Sequence, residues 1–294
     1  MSKYSNFAIV ASFLGLWINS FFSNEFQLIV GFILILSFGI LHGANDLALI
    51  KNVNPNNKVE NFYKILLFYV ITVLLGAAFF YIIPWLALLL FIIISGYHFG
   101  EQQWNKQLKT EVKWIKFLYE ILYGLIILFL IFTFHAAEVQ KIILAITGIE
   151  VPNFAFLLIL KILFSLFALF SLFFYFRIER FKSYFFKELF YLFVFSIIFK
   201  VSSLIWGFAL YFIFWHSIPS IIDQIKFLFG IVNYKNFKLY FRSAFAYWIV
   251  SLLGIALLYY IFKDQKIFNA LFFSFLASIT FPHVVVIIKM FGKK

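Results

Sequence analysis

Four of the five histidines in this chain, His42, His98, His216 and His283, stand inside long apolar runs. An ionisable side chain is costly in hydrocarbon, so its presence there calls for a partner. Neutral imidazole is a ligand for iron, zinc and copper. Four imidazoles gathered in a low-dielectric setting would hold a divalent metal with no carboxylate in its immediate shell. Such a site keeps its positive charge and suits a meeting of dioxygen with a hydrocarbon, which favours Fe(2+) over zinc. One intramembrane histidine would read as a hydrogen bond between helices. Four at one depth, with one other histidine in the chain, read as a single metal site. His42, His98, His216 and His283 are then both its ligands and its catalytic residues.

Other residue types cluster around them. Asp46 follows His42 by four and Glu101 follows His98 by three, spacings that keep each pair on one helical face. These acids could orient a ligand histidine through its second nitrogen. They could equally cap the cytoplasmic mouth of the bundle and pair with lysines. Asp223, seven after His216, fits the mouth. Gly43 and Gly100 adjoin or lie near two of the histidines and would permit close helix approach or a backbone break. Pro219 and Pro282 would kink the helices of the other two. Tyr97, Phe99 and Trp215 flank the histidines. They could line a substrate cavity for an extended apolar molecule or serve as ordinary packing.

The elements that must position these groups are transmembrane helices. The chain is 65% hydrophobic and 12% charged, against roughly half apolar and about a quarter charged in soluble domains. Runs such as 118–134 and 154–176 are too long for a soluble core helix, and no short alternating segments of a β-barrel appear. The fold class is therefore all-α, a polytopic transmembrane bundle forming one domain over 1–294. Ten spans are expected, at 6–22, 26–48, 62–82, 84–104, 114–134, 153–176, 184–204, 206–228, 241–262 and 267–289. Pro84 marks a tight hairpin, and 136–149 is a short connection suited to the interface. No cysteine is present, which excludes disulfides and thiolate ligands. The first apolar stretch lacks a small-residue cleavage site and reads as a retained span.

The basic residues set the orientation. Of the 24 Lys and Arg, only Lys141, Lys161, Lys200, Lys263 and Lys266 fall near one side; the rest, including Lys58, Lys109, Lys293 and Lys294, fall on the other. That bias places both termini in the cytoplasm of a multi-pass protein of the plasma (inner) membrane. It also explains the formal charge of +12 as topology and anionic-lipid contact, not nucleic-acid binding. The four histidines then lie on spans two, four, eight and ten, which all run inward. Their offsets from the span starts differ by about 9 Å at about 1.5 Å per residue, so they share one layer. His135 ends span five at the opposite face and stands apart.

The segments LHGANDL (41–47), YHFGEQQW (97–104), FWHSIPS (214–220) and FPHVVV (281–286) occur in order along nearly the whole chain. Together they resemble the Brp/Blh family of membrane-bound β-carotene 15,15′-dioxygenases. The resemblance implies a non-haem iron enzyme of retinal biosynthesis. It would cleave the central double bond of β-carotene with O2 into two retinal. The four histidines match the family's histidine positions, and Asp46 and Glu101 its acidic ones. Some members carry a further histidine one turn after the WHS histidine, where this chain has Ser220. The resemblance implies as partners the lipid bilayer, a carotenoid and O2, with retinal passing within the membrane toward a rhodopsin.

Other functions predict other patterns. A transporter or proton channel with a histidine relay would spread histidines and acids through the membrane depth. A haem-binding electron-transfer protein would hold its haems between paired axial histidines, whereas one shared layer suits one site. A desaturase-like di-iron enzyme needs more than five histidines. A structural or binding role is the remaining alternative.

Overall fold

The computed structural model describes residues 3–53, 59–108, 112–261 and 265–292. Lys58, Lys109, Lys263, Lys293 and Lys294 of the charge-bias argument lie outside the described residues. In chain order the helices are α1 (Lys3–Asn19), α2 (Asn24–Leu34), α3 (Ile40–Gly43), α4 (Asp46–Val53) and α5 (Val59–Ile82). Next come α6 (Pro84–Trp104), α7 (Lys113–Phe134), α8 (Ala136–Thr147), α9 (Asn153–Arg177) and α10 (Glu179–Val201). The last four are α11 (Leu204–Tyr211), α12 (Ile218–Phe229), α13 (Tyr234–Ile261) and α14 (Gln265–Gly292). Two π-helical stretches, Ile35–Gly39 and Phe212–Ser217, lead into α3 and α12. No strand occurs among the described residues, as the all-α expectation requires.

Among the described residues, eight helical stretches are long and apolar enough to cross a membrane. They are Asn24–Asn52, Tyr63–Ile82, Pro84–Trp104, Lys113–Phe134, Asn153–Arg177, Leu204–Phe229, Tyr234–Leu257 and Ser274–Phe291. Each coincides with one of the ten expected spans. The other two expected spans are helical as well. α1, with 17 residues, stands at the short end of the range of about 17–25 that crosses a membrane. The apolar run of α10 is interrupted by Lys187, Glu188 and Lys200. Pro84 opens α6 two residues after α5 ends, where its missing N–H is no loss. The connection at 136–149 holds the 12-residue helix α8.

The helices are apolar on both faces, as a lipid-bathed helix must be. Along α9, Phe156, Leu160, Leu163, Phe167 and Phe174 are buried, while Phe154, Leu158, Leu169, Leu172 and Phe176 are exposed. The chain reads as a membrane protein on this pattern.

The chain divides into two compact units. One comprises 1–34, 92–143 and 150–216. In it α7 lies along α9 and α10, and α11 packs on α2 and α10. Its core is aromatic: Trp104 stacks on Phe181 with centroids 5.4 Å apart, and Tyr119 on Phe167 at 4.9 Å. Two glycines let α6 meet α7 backbone to backbone. A Cβ on Gly100 would fall 1.7 Å from the Glu120 carbonyl oxygen, and one on Gly124 would fall 1.8 Å from that of Gly96. His135 caps the end of α7, its Nε2 2.8 Å from the Phe199 carbonyl oxygen.

The other unit comprises 35–91, 144–149 and 217–294. There α14 lies along α5 and α4, and α13 packs on α3, α12 and α14. Leu41, Ile221, Ile225, Tyr240 and Ala244 form the apolar cluster beneath α3.

Candidate functional site

His42 and His283 form a pair in the second unit. His42 sits on α3, a single turn between the π-helical stretch Ile35–Gly39 and the break at Ala44–Asn45. His283 follows Pro282 inside α14. The two buried rings stand edge to face, centroids 4.8 Å apart at 87°. Gly43 lies beside them, but a Cβ there would sit 3.6 Å from His283 Nδ1, an ordinary contact. The expected close approach at Gly43 is therefore not required; the backbone break comes directly after it.

Asp46, the first residue of α4, is 2% exposed. Its Oδ1 is 2.8 Å from His283 Nδ1, and Tyr69 donates its hydroxyl to Oδ2 at 2.9 Å. An ionised carboxylate there can only accept, which would put a proton on Nδ1 and leave Nε2 of a neutral ring to face a metal. Asp46 thus orients a histidine, but the one on α14 rather than His42 four residues before it. Deeper support comes from polar groups on α12 and α13. Gln224 Nε2 donates to the His42 carbonyl oxygen at 2.8 Å, and Tyr240 donates to Gln224 Oε1 at 2.8 Å. Asn45 Nδ2 donates to the Tyr240 carbonyl at 3.0 Å, tying the break itself to α13.

His98 and His216 form a second pair in the first unit. His98 lies on α6, and His216 lies in the π-helical stretch Phe212–Ser217. Both are buried, with centroids 4.7 Å apart at 79°. Phe99 packs edge-on against His216 at 4.7 Å, and Phe212 stacks on it at 5.2 Å and 17°. Gln102 Nε2 donates to the His216 carbonyl oxygen at 2.8 Å. Pro219 has no N–H to offer the carbonyls a turn before it, and the Phe214 carbonyl accepts from the Tyr4 hydroxyl.

The remaining expected site residues take varied places. Glu101 is buried on α6 and hydrogen-bonds Tyr97 one turn before it, with Lys116 nearby. Tyr97 itself packs on Phe117, centroids 4.8 Å apart. Trp215 donates to Ser12 Oγ at 3.0 Å and packs against Tyr191 and Phe195. Of Tyr97, Phe99 and Trp215, Phe99 packs on a ligand-candidate histidine, His216. Asp223 is buried on α12, and Ser220 accepts from Gln224 at 3.1 Å. His135 keeps to its helix-capping role.

The donor set fits a metal ion. Each of His42, His98 and His283 is buried and offers a ring nitrogen as one possible ligand atom. Two imidazoles bound about 2.1 Å from one metal, at ligand angles of about 90–110°, stand with centroids about 4.6–5.3 Å apart. Both pairs fall in that range. A carboxylate on the distal nitrogen is the usual outer support of a metal-bound histidine, and Asp46 supplies it to His283.

Sequence reasoning missed Tyr69, Gln102, Gln224 and Tyr240. Gln102 had a signal, four residues after His98 on the same helical face. Tyr69 had none, since its role depends on the crossing of α5 with α4. The acids Glu120 and Glu188 were also missed, although ionisable residues in apolar runs are a signal in themselves. Glu188 is buried in α10 and accepts from Gln103 and Tyr123, each at 2.8 Å.

No curated protein and no solved structure matches the chain. A family model described as beta-carotene 15,15′-dioxygenase matches residues 33–291, a range that holds all four histidines, both π-helical stretches and Asp46. The chain belongs to the β-carotene 15,15′-dioxygenase family.

Proposed function

We propose that this protein cleaves the central 15,15′ double bond of β-carotene with O2, giving two molecules of retinal, at one Fe(2+) held by His42, His98, His216 and His283. The observation that carries the proposal is the pairing of these buried imidazoles at ligand-sharing separation in a chain of this family. The reaction balances simply: one carbon–carbon double bond breaks, two carbonyls form, and both oxygen atoms of O2 end in product. Bound iron would supply the binding and activation of dioxygen.

The chain's own groups do the rest. Asp46 holds the His283 proton on Nδ1 and so presents Nε2 to the metal. Glu101 acts from the outer shell through the α6 turn that carries His98. Phe99 offers aromatic surface to the polyene, and Tyr97 and Trp215 would add to it elsewhere along the substrate. Water is kept out by the apolar surroundings, which protects the reaction from side products. No acid–base residue is needed, because no proton changes place between substrate and products.

The whole chain, 1–294, acts as one domain with ten spans and both termini in the cytoplasm of the plasma membrane. β-Carotene is wholly apolar and enters from the bilayer; retinal leaves into it, available to a rhodopsin. Expression in cells that accumulate β-carotene tests the reading. Orange colour should fade and retinal should appear by chromatography. Persistent colour with good expression of the protein, or products other than retinal, would overturn it.

A further inference from the structure

We infer that Gln102 and Gln224 are positioning residues of the metal centre, each fixing by one hydrogen bond the backbone of a ligand histidine where helical geometry changes. This rests on the reading of the histidines as iron ligands. The two arrangements occur independently, one in each unit, and use the same chemistry.

In the first unit the histidine concerned is His216. It stands near the end of a π-helical stretch, where the hydrogen-bond register returns from five residues to four. Pro219 adds to the irregularity by bringing no N–H. Gln102 donates to the His216 carbonyl at 2.8 Å. Gln102 is also one turn after His98, so a single face of α6 carries an imidazole and the amide that holds the other histidine of the pair.

In the second unit the histidine is His42. α3 ends one residue later, so His42 lies in a terminal turn, where carbonyls as a rule lack donors within the helix. Gln224 donates to the His42 carbonyl at 2.8 Å. Its own orientation is fixed from behind: the Tyr240 hydroxyl donates to Oε1 at 2.8 Å, which leaves Nε2 facing His42 and Ser220. Gln224 is fully buried.

In both cases the nitrogen's partner is a backbone carbonyl, an acceptor that only the N–H side of the amide can satisfy. A ligand on a π-helical or single-turn segment has a backbone that can shift register. Metal centres tolerate displacements of only about 0.5 Å before ligand geometry suffers. Pinning the carbonyl pins the Cα from which the imidazole projects.

The test uses the full chain in detergent micelles, wild type against Gln102→Met and Gln224→Met, which keep side-chain length and remove the donor. Iron affinity is measured by chelator competition. The ferrous site is probed by the electron paramagnetic resonance spectrum of its nitric oxide adduct. Each Met variant should bind iron about 10–100-fold more weakly, the usual effect of losing an outer-shell partner. The rhombicity of its spectrum should change while helix content stays at the wild-type level. Gln102→Asn and Gln224→Asn keep the amide one methylene short and should give smaller losses; they decide the matter if the Met variants do not fold. Wild-type affinity and an unchanged spectrum in the folded variants would overturn the inference alone. A wild-type protein that binds no iron would overturn it together with the proposed function.

Discussion

Asp46 shows how one carboxylate can serve a histidine far from it in sequence. Its Oδ1 lies 2.8 Å from His283 Nδ1, and the Tyr69 hydroxyl donates to Oδ2 at 2.9 Å. The acid opens α4, where a negative charge also meets the positive end of the helix. Asp46→Ala would leave the imidazole free to rotate and to change tautomer, and iron affinity should fall about 10–100-fold. Tyr69→Phe removes only the brace on the carboxylate, and its loss should be smaller than that of Asp46→Ala. Chelator competition on both variants checks the order; equal losses would show that Tyr69 does more than brace. The presence of Asp46 in the site was legible in the HGAND segment, but its partner was not. Four residues on a continuous helix would have placed it with His42. The break at Ala44–Asn45 ends that helix and starts another, so the spacing rule no longer applies across it.

At the scale of elements, the long apolar helices were legible because composition and length leave little alternative to them. The π-helical stretches were not legible, since they follow from packing around Ile35–Gly39 and Phe212–Ser217 rather than from any residue pattern. Pro219 was a trace of the second stretch alone. The crossing of α6 and α7 was half legible. Gly100 was read as a residue that permits close approach, but its partner Gly124 on α7 went unnoticed. The structure makes the demand concrete, with a Cβ on Gly100 falling 1.7 Å from the Glu120 carbonyl oxygen. That neighbour is backbone and cannot rotate away. Gly100→Ala should therefore destabilise the protein by at least about 1–3 kcal/mol, the usual cost of overpacking. Gly254, on α13, is a counterpart with nothing within 4 Å of its Cβ position. Gly254→Ala should be neutral or stabilising by up to about 1 kcal/mol through helix propensity. Thermal melts in detergent compare the two, and a Gly100→Ala variant as stable as wild type would mean that α6 and α7 do not meet at Gly100.

For the whole molecule the question is whether the four histidines serve one ion. Each pair alone has the separation of two ligands on a shared metal. Pairs of this kind would also fit two ions, each with two protein ligands. One ion is favoured by the sequence, in which the ten expected spans would set the four histidines at one depth on four inward-running helices. Two imidazoles alone also leave most of an iron's coordination positions to water, which a site built on apolar helices supplies poorly. The two cases separate cleanly by metal analysis of the full chain. One shared ion gives a wild-type protein with one iron, and His98→Ala then loses most of it, because the three imidazoles left bind more weakly than four. Two separate ions give two irons, and His98→Ala keeps the one held by His42 and His283. His216→Ala should repeat the result of His98→Ala, and His283→Ala should match both if the ion is shared. Retention of half the iron in His98→Ala and His216→Ala, with a different half lost in His283→Ala, would replace the single centre by two.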